Sequence, residues 1–255
     1  MTDWYIPSEH PSAPFPHDRE TEDERLLGME SIGKDSWRVF RIMGEFVEGF
    51  DTLHSIGTAI SIFGSARTKP EDPMYQQCVE TARVLGEAGF AIITGGGPGK
   101  MEAANRGAKL AGATSIGCNI ELPFEQGGNP FLDVSIDFRY FFVRKTMFMK
   151  YACGSVIFPG GFGTMDELFE TLTLVQTHKV GRFPIVLFGS DYWSGLIDWI
   201  RDTMARDGKI AETDIDLMSV TDDPNEVLDY LLANLPEQSR PNGQSRPNGH
   251  SLSDS

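Results

Sequence analysis

At 255 residues, with 40% hydrophobic and 23% charged content, the chain is long enough to bury the core of one sizeable globular domain. Its 37 acidic against 22 basic residues give a net charge of −15. That balance argues against a nucleic-acid partner, whose phosphates are bound mainly by basic side chains, but not against a mononucleotide, which needs only a local pocket.

Cys78, Cys118 and Cys153 are too few and too scattered for a disulfide framework or a CxxC metal site. No stretch is long and apolar enough to cross a membrane, and the N-terminus lacks the basic and apolar regions of a signal peptide. A reduced, cytoplasmic protein with no membrane partner is the expectation.

Residues 1–30 are rich in proline and acid and read as a disordered tail. Residues 36–53 place Trp37, Phe40, Ile42, Met43, Phe46, Val47, Phe50 and Leu53 at helical spacing on a wide apolar stripe. Strand and helix then alternate. Strands are predicted at 58–63, 90–94, 114–119, 134–138, 154–158 and 184–188. Helices are predicted at 73–88, 100–111, 140–151, 163–179, 192–205 and 224–235. Residues 236–255, which hold QSRPNG written twice, carry no apolar face and read as a second tail. Continuous apolar strands separated by helices predict a single α/β domain over 31–235: a doubly wound, Rossmann-like parallel sheet with an extra N-terminal helix. In such a sheet ligands lie beyond the C-terminal strand ends, at the point where the strand order reverses.

Three glycine turns fall on that edge. Gly64-Ser65 closes the first strand, where Ser65 could meet a ligand or simply hold the turn. Gly95-Gly96-Gly97-Pro98-Gly99 reads either as a nucleotide turn or as a tight strand-to-helix connection without a ligand. It is not a Walker A loop, because Met101 stands where Ser or Thr should follow Lys100. A dinucleotide fingerprint is a closer rival, with Glu121 downstream to take a ribose hydroxyl. The third turn, Pro159-Gly160-Gly161-Phe162-Gly163, leads from an apolar strand into a helix predicted to carry Thr164, Asp166 and Glu167 in its first turn. A helix N-terminus offers unpaired N–H groups and a favourable dipole to an anion. The plainer reading is that Thr164 caps the helix while the two acids answer its dipole. Arg144 and Lys145, on a largely apolar helix, read alone as a solvated edge; aimed inward, Arg144 could fork an anion. The five histidines show no metal-ligand spacing, and there is no GxSxG elbow.

GGGPG followed by MEAANRGA, then FFVRKTMFMKYA, then PGGFGTMDE, in that order, resemble the LOG (LONELY GUY) family of phosphoribohydrolases, long mislabelled lysine decarboxylases. The resemblance spans about residues 60–232. The N-terminal helix and ELPFEQ (121–126) are similar to the longer subgroup, whose members form dimers and often hexamers with the site at a dimer interface. The resemblance implies hydrolysis of AMP or N6-prenylated AMP to a free base and ribose 5-phosphate. It makes Glu167 the catalytic carboxylate and Arg144 the catalytic arginine. Gly160, Gly161, Gly163 and Thr164 would hold the phosphate, with Ser65, Gly96, Gly97 and Lys145 completing the substrate site. Neither a metal nor an organic cofactor is implied. Lys100 stands where the family usually carries an apolar residue. Breaking an N-glycosidic bond builds positive charge on the ribose, which a nearby carboxylate can stabilise. Two other readings share the glycine turns: a carrier or sensor that binds a nucleotide without turning it over, and an NAD-dependent enzyme.

Overall fold

A computed structural model describes residues 35–121 and 128–241. The expectations for residues 1–30 and 242–255, and residues 122–126 of the ELPFEQ segment, lie outside the described residues. In chain order the elements are α1 (Asp35–Leu53), β1 (Ala59–Phe63), α2 (Pro73–Glu87), β2 (Ala91–Thr94), α3 (Lys100–Leu110), β3 (Ser115–Ile120), β4 (Val134–Phe138), α4 (Phe141–Tyr151) and β5 (Ala152–Ile157). There follow α5 (Phe162–Gln176), β6 (Ile185–Phe188), α6 (Ser190–Trp199), β7 (Met218–Thr221) and α7 (Pro224–Asn234). The helix expected over 192–205 is in fact α6 and a π-helix at Ile200–Ala205. β7 is an edge strand that the sequence reading missed.

The seven strands pair in the order β4-β3-β2-β1-β5-β6-β7, every pair parallel. The chain builds outward from β1 to β4, then returns through α4 to place β5 on the other side of β1. The order therefore reverses between β1 and β5, and a doubly wound sheet opens a crevice there at the C-terminal strand ends. Both faces are covered, as the continuous apolar strands require. Ile60, Ile62, Ile92, Val156 and Val186 point to a core shared with α2, α3 and α7. Their neighbours Ala59, Ile93, Ile116, Ile157 and Leu187 point to the core under α4, α5 and α6. The central strands β1, β2, β5 and β6 thus contribute alternate side chains to two cores.

Two boundaries differ from expectation. Ordered structure runs past Leu235: Glu237–Ser239 form a 3-10 turn, and Arg240 is buried, donating from Nη2 to the Leu235 carbonyl at 3.0 Å. The α1 stripe is also only half used. Leu53 is fully buried, but Trp37, Phe40, Met43 and Val47 are all more than half exposed. Periodicity reports an apolar face; it cannot say whether that face covers the chain's own core. Within the described residues no helix is long and apolar enough to cross a membrane.

Candidate active site

The crevice at the reversal point is a cleft of about 1240 Å³, with walls drawn from the ends of β1, β2, β3, β4 and β5 and from α4, α5 and α6. That volume exceeds what a mononucleotide fills, and pockets of the 300–1,000 Å³ class ordinarily hold drug-sized ligands. Its floor is a stack of three turns. Ser65 N–H donates to the Pro159 carbonyl at 3.1 Å, and Lys100 N–H donates to the Ser65 carbonyl at 3.0 Å. Gly99, at φ +68°, presses on this stack so closely that an added Cβ would stand 2.4 Å from the Ser65 carbonyl oxygen. Only glycine fits there on both counts.

The turn after β2 is held by polar side chains that the sequence reading did not single out. Thr94 Oγ1 accepts from Gly96 N–H at 2.9 Å and donates to Asn105 Oδ1 at 2.6 Å. Asn129 Nδ2 reaches the carbonyls of Gly96 and Gly97 at 3.0 and 3.1 Å and Asn105 Oδ1 at 2.9 Å. Asn129 is placed by the connection between β3 and β4, so only the tertiary fold brings it to the glycines. Gly97 and Gly95 line the cleft; Gly96 does not, being turned into this network.

At the end of β5 the chain enters α5 through Pro159, Gly160 and Gly161. The helix begins at Phe162, one residue before the predicted start, and Gly161 is its N-cap with no side-chain cap. Thr164 therefore does not cap the helix, and the N-terminal amides keep their capacity for a ligand. Thr164 is instead buried against Gly160, where an added Cβ would fall 2.0 Å from Thr164 Oγ1. The same shift moves Asp166 and Glu167 out of the first turn. They are not dipole-answering acids at the helix mouth. Glu167 lies in the second turn, only 8% exposed, on the cleft wall.

Burial lifts the Glu167 carboxyl to about 7, against the opposing pull of Arg144 and Lys145. A carboxyl that titrates near neutrality can exist in either form at the working pH of most enzymes, which suits acid-base or charge-stabilising work. Arg144, from α4, stands with its guanidinium 5.3 Å over the Phe148 ring and 5.8 Å over Phe141. One terminal nitrogen lies 3.0 Å from where a Cβ on Gly95 would be. Arg144 thus bridges the glycine turn after β2 and the field around Glu167.

Lys145 turns elsewhere. Its amine pairs with Asp166 at 2.8 Å and Glu170 at 2.5 Å, and it is not among the cleft-lining residues. Burial works against its charge, yet hydrogen bonds to those two carboxylates carry it above its ordinary range. Successive residues of α4 thus face different ways. Lys145 clamps α4 to α5, and the clamp sets Arg144 relative to Glu167. Of the predicted site residues, Ser65, Gly97, Arg144, Gly160, Gly161, Gly163, Thr164 and Glu167 meet at the cleft, whereas Gly96 and Lys145 support it from behind. Tyr192, from α6, joins the wall unannounced by any motif. Among the described residues no group of three or more potential ligands could hold a metal ion. The thiols of Cys78, Cys118 and Cys153 are each pushed up to about 12 by burial and stay protonated.

A family model described as "Possible lysine decarboxylase" matches residues 101–231, just over half of the chain. A pyrimidine/purine nucleotide 5'-monophosphate nucleosidase of Escherichia coli K12 is 30% identical over 139 residues, 49% of this chain and 31% of that protein. The chain therefore spans about a third of the length of this curated relative. Among solved structures, the Moco carrier protein of Chlamydomonas reinhardtii matches with a TM-score of 0.49 at 23% identity, covering 70% of this chain and 99% of that one. A molybdenum cofactor binding protein of Rippkaea orientalis matches with a TM-score of 0.47 at 19% identity, covering 67% and 91%.

Proposed function

The chain belongs to the family described as possible lysine decarboxylase, and on that premise we propose that it is a phosphoribohydrolase. It cleaves the N-glycosidic bond of a nucleoside 5′-monophosphate, AMP or N6-prenyl-AMP, to release adenine or a cytokinin base and ribose 5-phosphate. The observation that carries this reading is one helix end: α5 opens uncapped into the reversal-point cleft, with Glu167 buried one and a half turns further along.

The phosphate sits on the amides around Gly161 and Gly163, beside Thr164, and its binding energy positions the ribose. As the bond between C1′ and the base nitrogen lengthens, positive charge grows on the sugar, and ionised Glu167 stabilises it. Water supplies the hydroxyl at C1′ and the remaining proton ends on the departing base. Arg144, against the glycine turn after β2, holds charge at the phosphate or the leaving base. The E. coli relative, a nucleotide 5'-monophosphate nucleosidase by name, supports the same chemistry.

The family's descriptive label points to a different reaction. An amino-acid decarboxylase of the pyridoxal type needs a lysine in its pocket to carry the cofactor as a Schiff base. Among the described residues no lysine lines the cleft. Lys145 is clamped to two carboxylates and Lys100 is buried outside the cleft. The residues present do not fit that cofactor.

The proposal includes a cytoplasmic homodimer at least, up to a hexamer. The exposed Trp37, Phe40, Met43 and Val47 of α1 form a larger apolar face than lone surface residues make. Phe141 and Phe142 of α4 are exposed too, and Phe141 also lines the cleft, so a second copy seated there would border the site. Light scattering of the purified chain is expected to give at least twice the monomer mass; a monomer at micromolar concentration contradicts this part. The substrate class is tested by a panel of AMP, prenylated AMP, GMP and CMP scored for liberated nucleobase. Release from AMP or prenylated AMP is expected, and intact nucleotides throughout would favour a binding protein that does not turn over.

A further inference from the structure

We propose that the Tyr192 hydroxyl is a positioning group for the anion-binding turn, fixing the Gly160–Gly161 peptide so that its N–H, not its carbonyl, is presented to the bound phosphate. The inference rests on the phosphate reading of the cleft given above.

Tyr192 Oη donates to the Gly160 carbonyl at 2.6 Å. In a planar trans peptide the carbonyl and the following N–H point in opposite directions. A Gly160 carbonyl tied to Tyr192 therefore turns the Gly161 N–H away from the tyrosine. Thr164 packs on Gly160 and the Gly161 carbonyl accepts from the Thr164 and Met165 N–H groups at 3.0 Å, but both flanking residues are glycines, whose backbone can rotate where other residues cannot, and a Cβ on Gly161 would meet nothing within 4 Å. A rotation of that unit would replace a donor with an oxygen and repel an anion. The hydrogen bond opposes the rotation.

Tyr192 is itself held rigidly enough to do this. Gly189 enters α6 at φ +99°, and Tyr192 N–H donates to its carbonyl at 3.1 Å. The Ser190 amide and hydroxyl both bind Asp222, anchoring the start of the helix to the segment after β7. The adjoining Trp193 is fully buried, with Nε1 donating to the Phe188 carbonyl at 3.0 Å, and its ring meets that of Tyr192 edge-on at 4.9 Å. The phenol is thus aimed by β6 and α6, a different part of the sheet from the turn it holds. Tyr192 is also about half exposed on the cleft wall, so its ring borders the bound sugar phosphate.

Tyr192→Phe removes the hydroxyl alone. The variant is expected to bind AMP, ribose 5-phosphate and inorganic phosphate about three- to tenfold more weakly by calorimetry. KM for AMP should rise by the same factor with kcat within about twofold, while adenosine, which lacks the phosphate, binds as to wild type. A merely structural role would weaken adenosine too, and that result overturns the proposal, as does unchanged phosphate affinity. If the wild-type chain binds none of the three phosphates, the phosphate reading of the cleft has failed instead. Should the variant not fold, hydrogen exchange in the wild-type chain carries the test. Added phosphate should slow exchange at the Gly161 amide, and no change there overturns the proposal.

Discussion

Glu167→Gln is expected to keep AMP binding and lower base release by about 100- to 10,000-fold, the range that loss of one positioned acid-base or charge-stabilising group produces. Glutamine preserves the volume and the hydrogen-bonding oxygen while removing the charge that faces the sugar. The wild-type pH profile should show the same group. Folding lifts the Glu167 carboxyl to about 7, chiefly by burial. If the ionised form acts, kcat/KM rises with pH through that value and falls about tenfold per unit below it. The variant's residual activity should lack this limb. Full activity in Glu167→Gln would remove the residue from the mechanism.

The same burial leaves a mark on stability. The folded chain holds the Glu167 proton more tightly than the unfolded chain, so this group makes stability fall as pH rises from about 4.5 to about 7. Glu167→Gln is accordingly expected to be more stable than wild type above that window, by about 3 kcal/mol at most. The difference should vanish as pH falls below the ordinary glutamate range. A buried carboxyl that costs stability is what the proposed preorganised site requires.

The second large effect is expected at Lys100. This side chain is 1% exposed, and its amine has no hydrogen-bond partner among the described residues. Its stem packs against Gly64, where an added Cβ would lie 2.7 Å from Lys100 Cγ, and the amine stands 5.6 Å from the Phe158 ring centre. Burial depresses the amine's pKa, and Asp72 offsets this only partly. Lys100→Met keeps length and helix propensity and removes the stranded charge. It is expected to stabilise the chain by about 1–3 kcal/mol at neutral pH in denaturant titrations. The sign with pH follows from the lowered value. Between the folded pKa and the ordinary lysine range the unfolded chain binds more protons, so wild-type stability climbs as pH rises through that window. The methionine variant should lack this climb, and its advantage should shrink at alkaline pH. A variant less stable than wild type at neutral pH would mean that the amine is held by something outside this chain.

The framework of the cleft was legible because its signals are local. Buried parallel strands show as apolar runs such as 154–158, and glycine turns at their ends mark the only backbone that can pack so closely, as at Gly99. Those two signals place the three glycine turns and Glu167 on one edge. What the sequence hid is set by packing. Whether Thr164 caps α5 or packs on Gly160 turns on where the helix starts, one residue either way. Arg144 and Lys145 are neighbours in sequence, yet one enters the cleft and the other clamps α5, a division that helical pattern alone does not reveal. Asn129 and Tyr192 reach the turns only through the sheet order, from segments with no motif of their own. β7 escaped notice because four residues at a half-exposed edge carry little apolar pattern. The α1 stripe shows the opposite failure: a strong pattern of which only Leu53, Ile42 and Phe46 pack on the chain's own core.

The most direct trial of the phosphoribohydrolase account is to incubate the chain with AMP in heavy-oxygen water and identify every product by mass spectrometry. The account predicts adenine and ribose 5-phosphate in equal amounts, with the heavy oxygen on C1′ of the sugar. Adenosine with labelled inorganic phosphate, or AMP recovered whole, would contradict it.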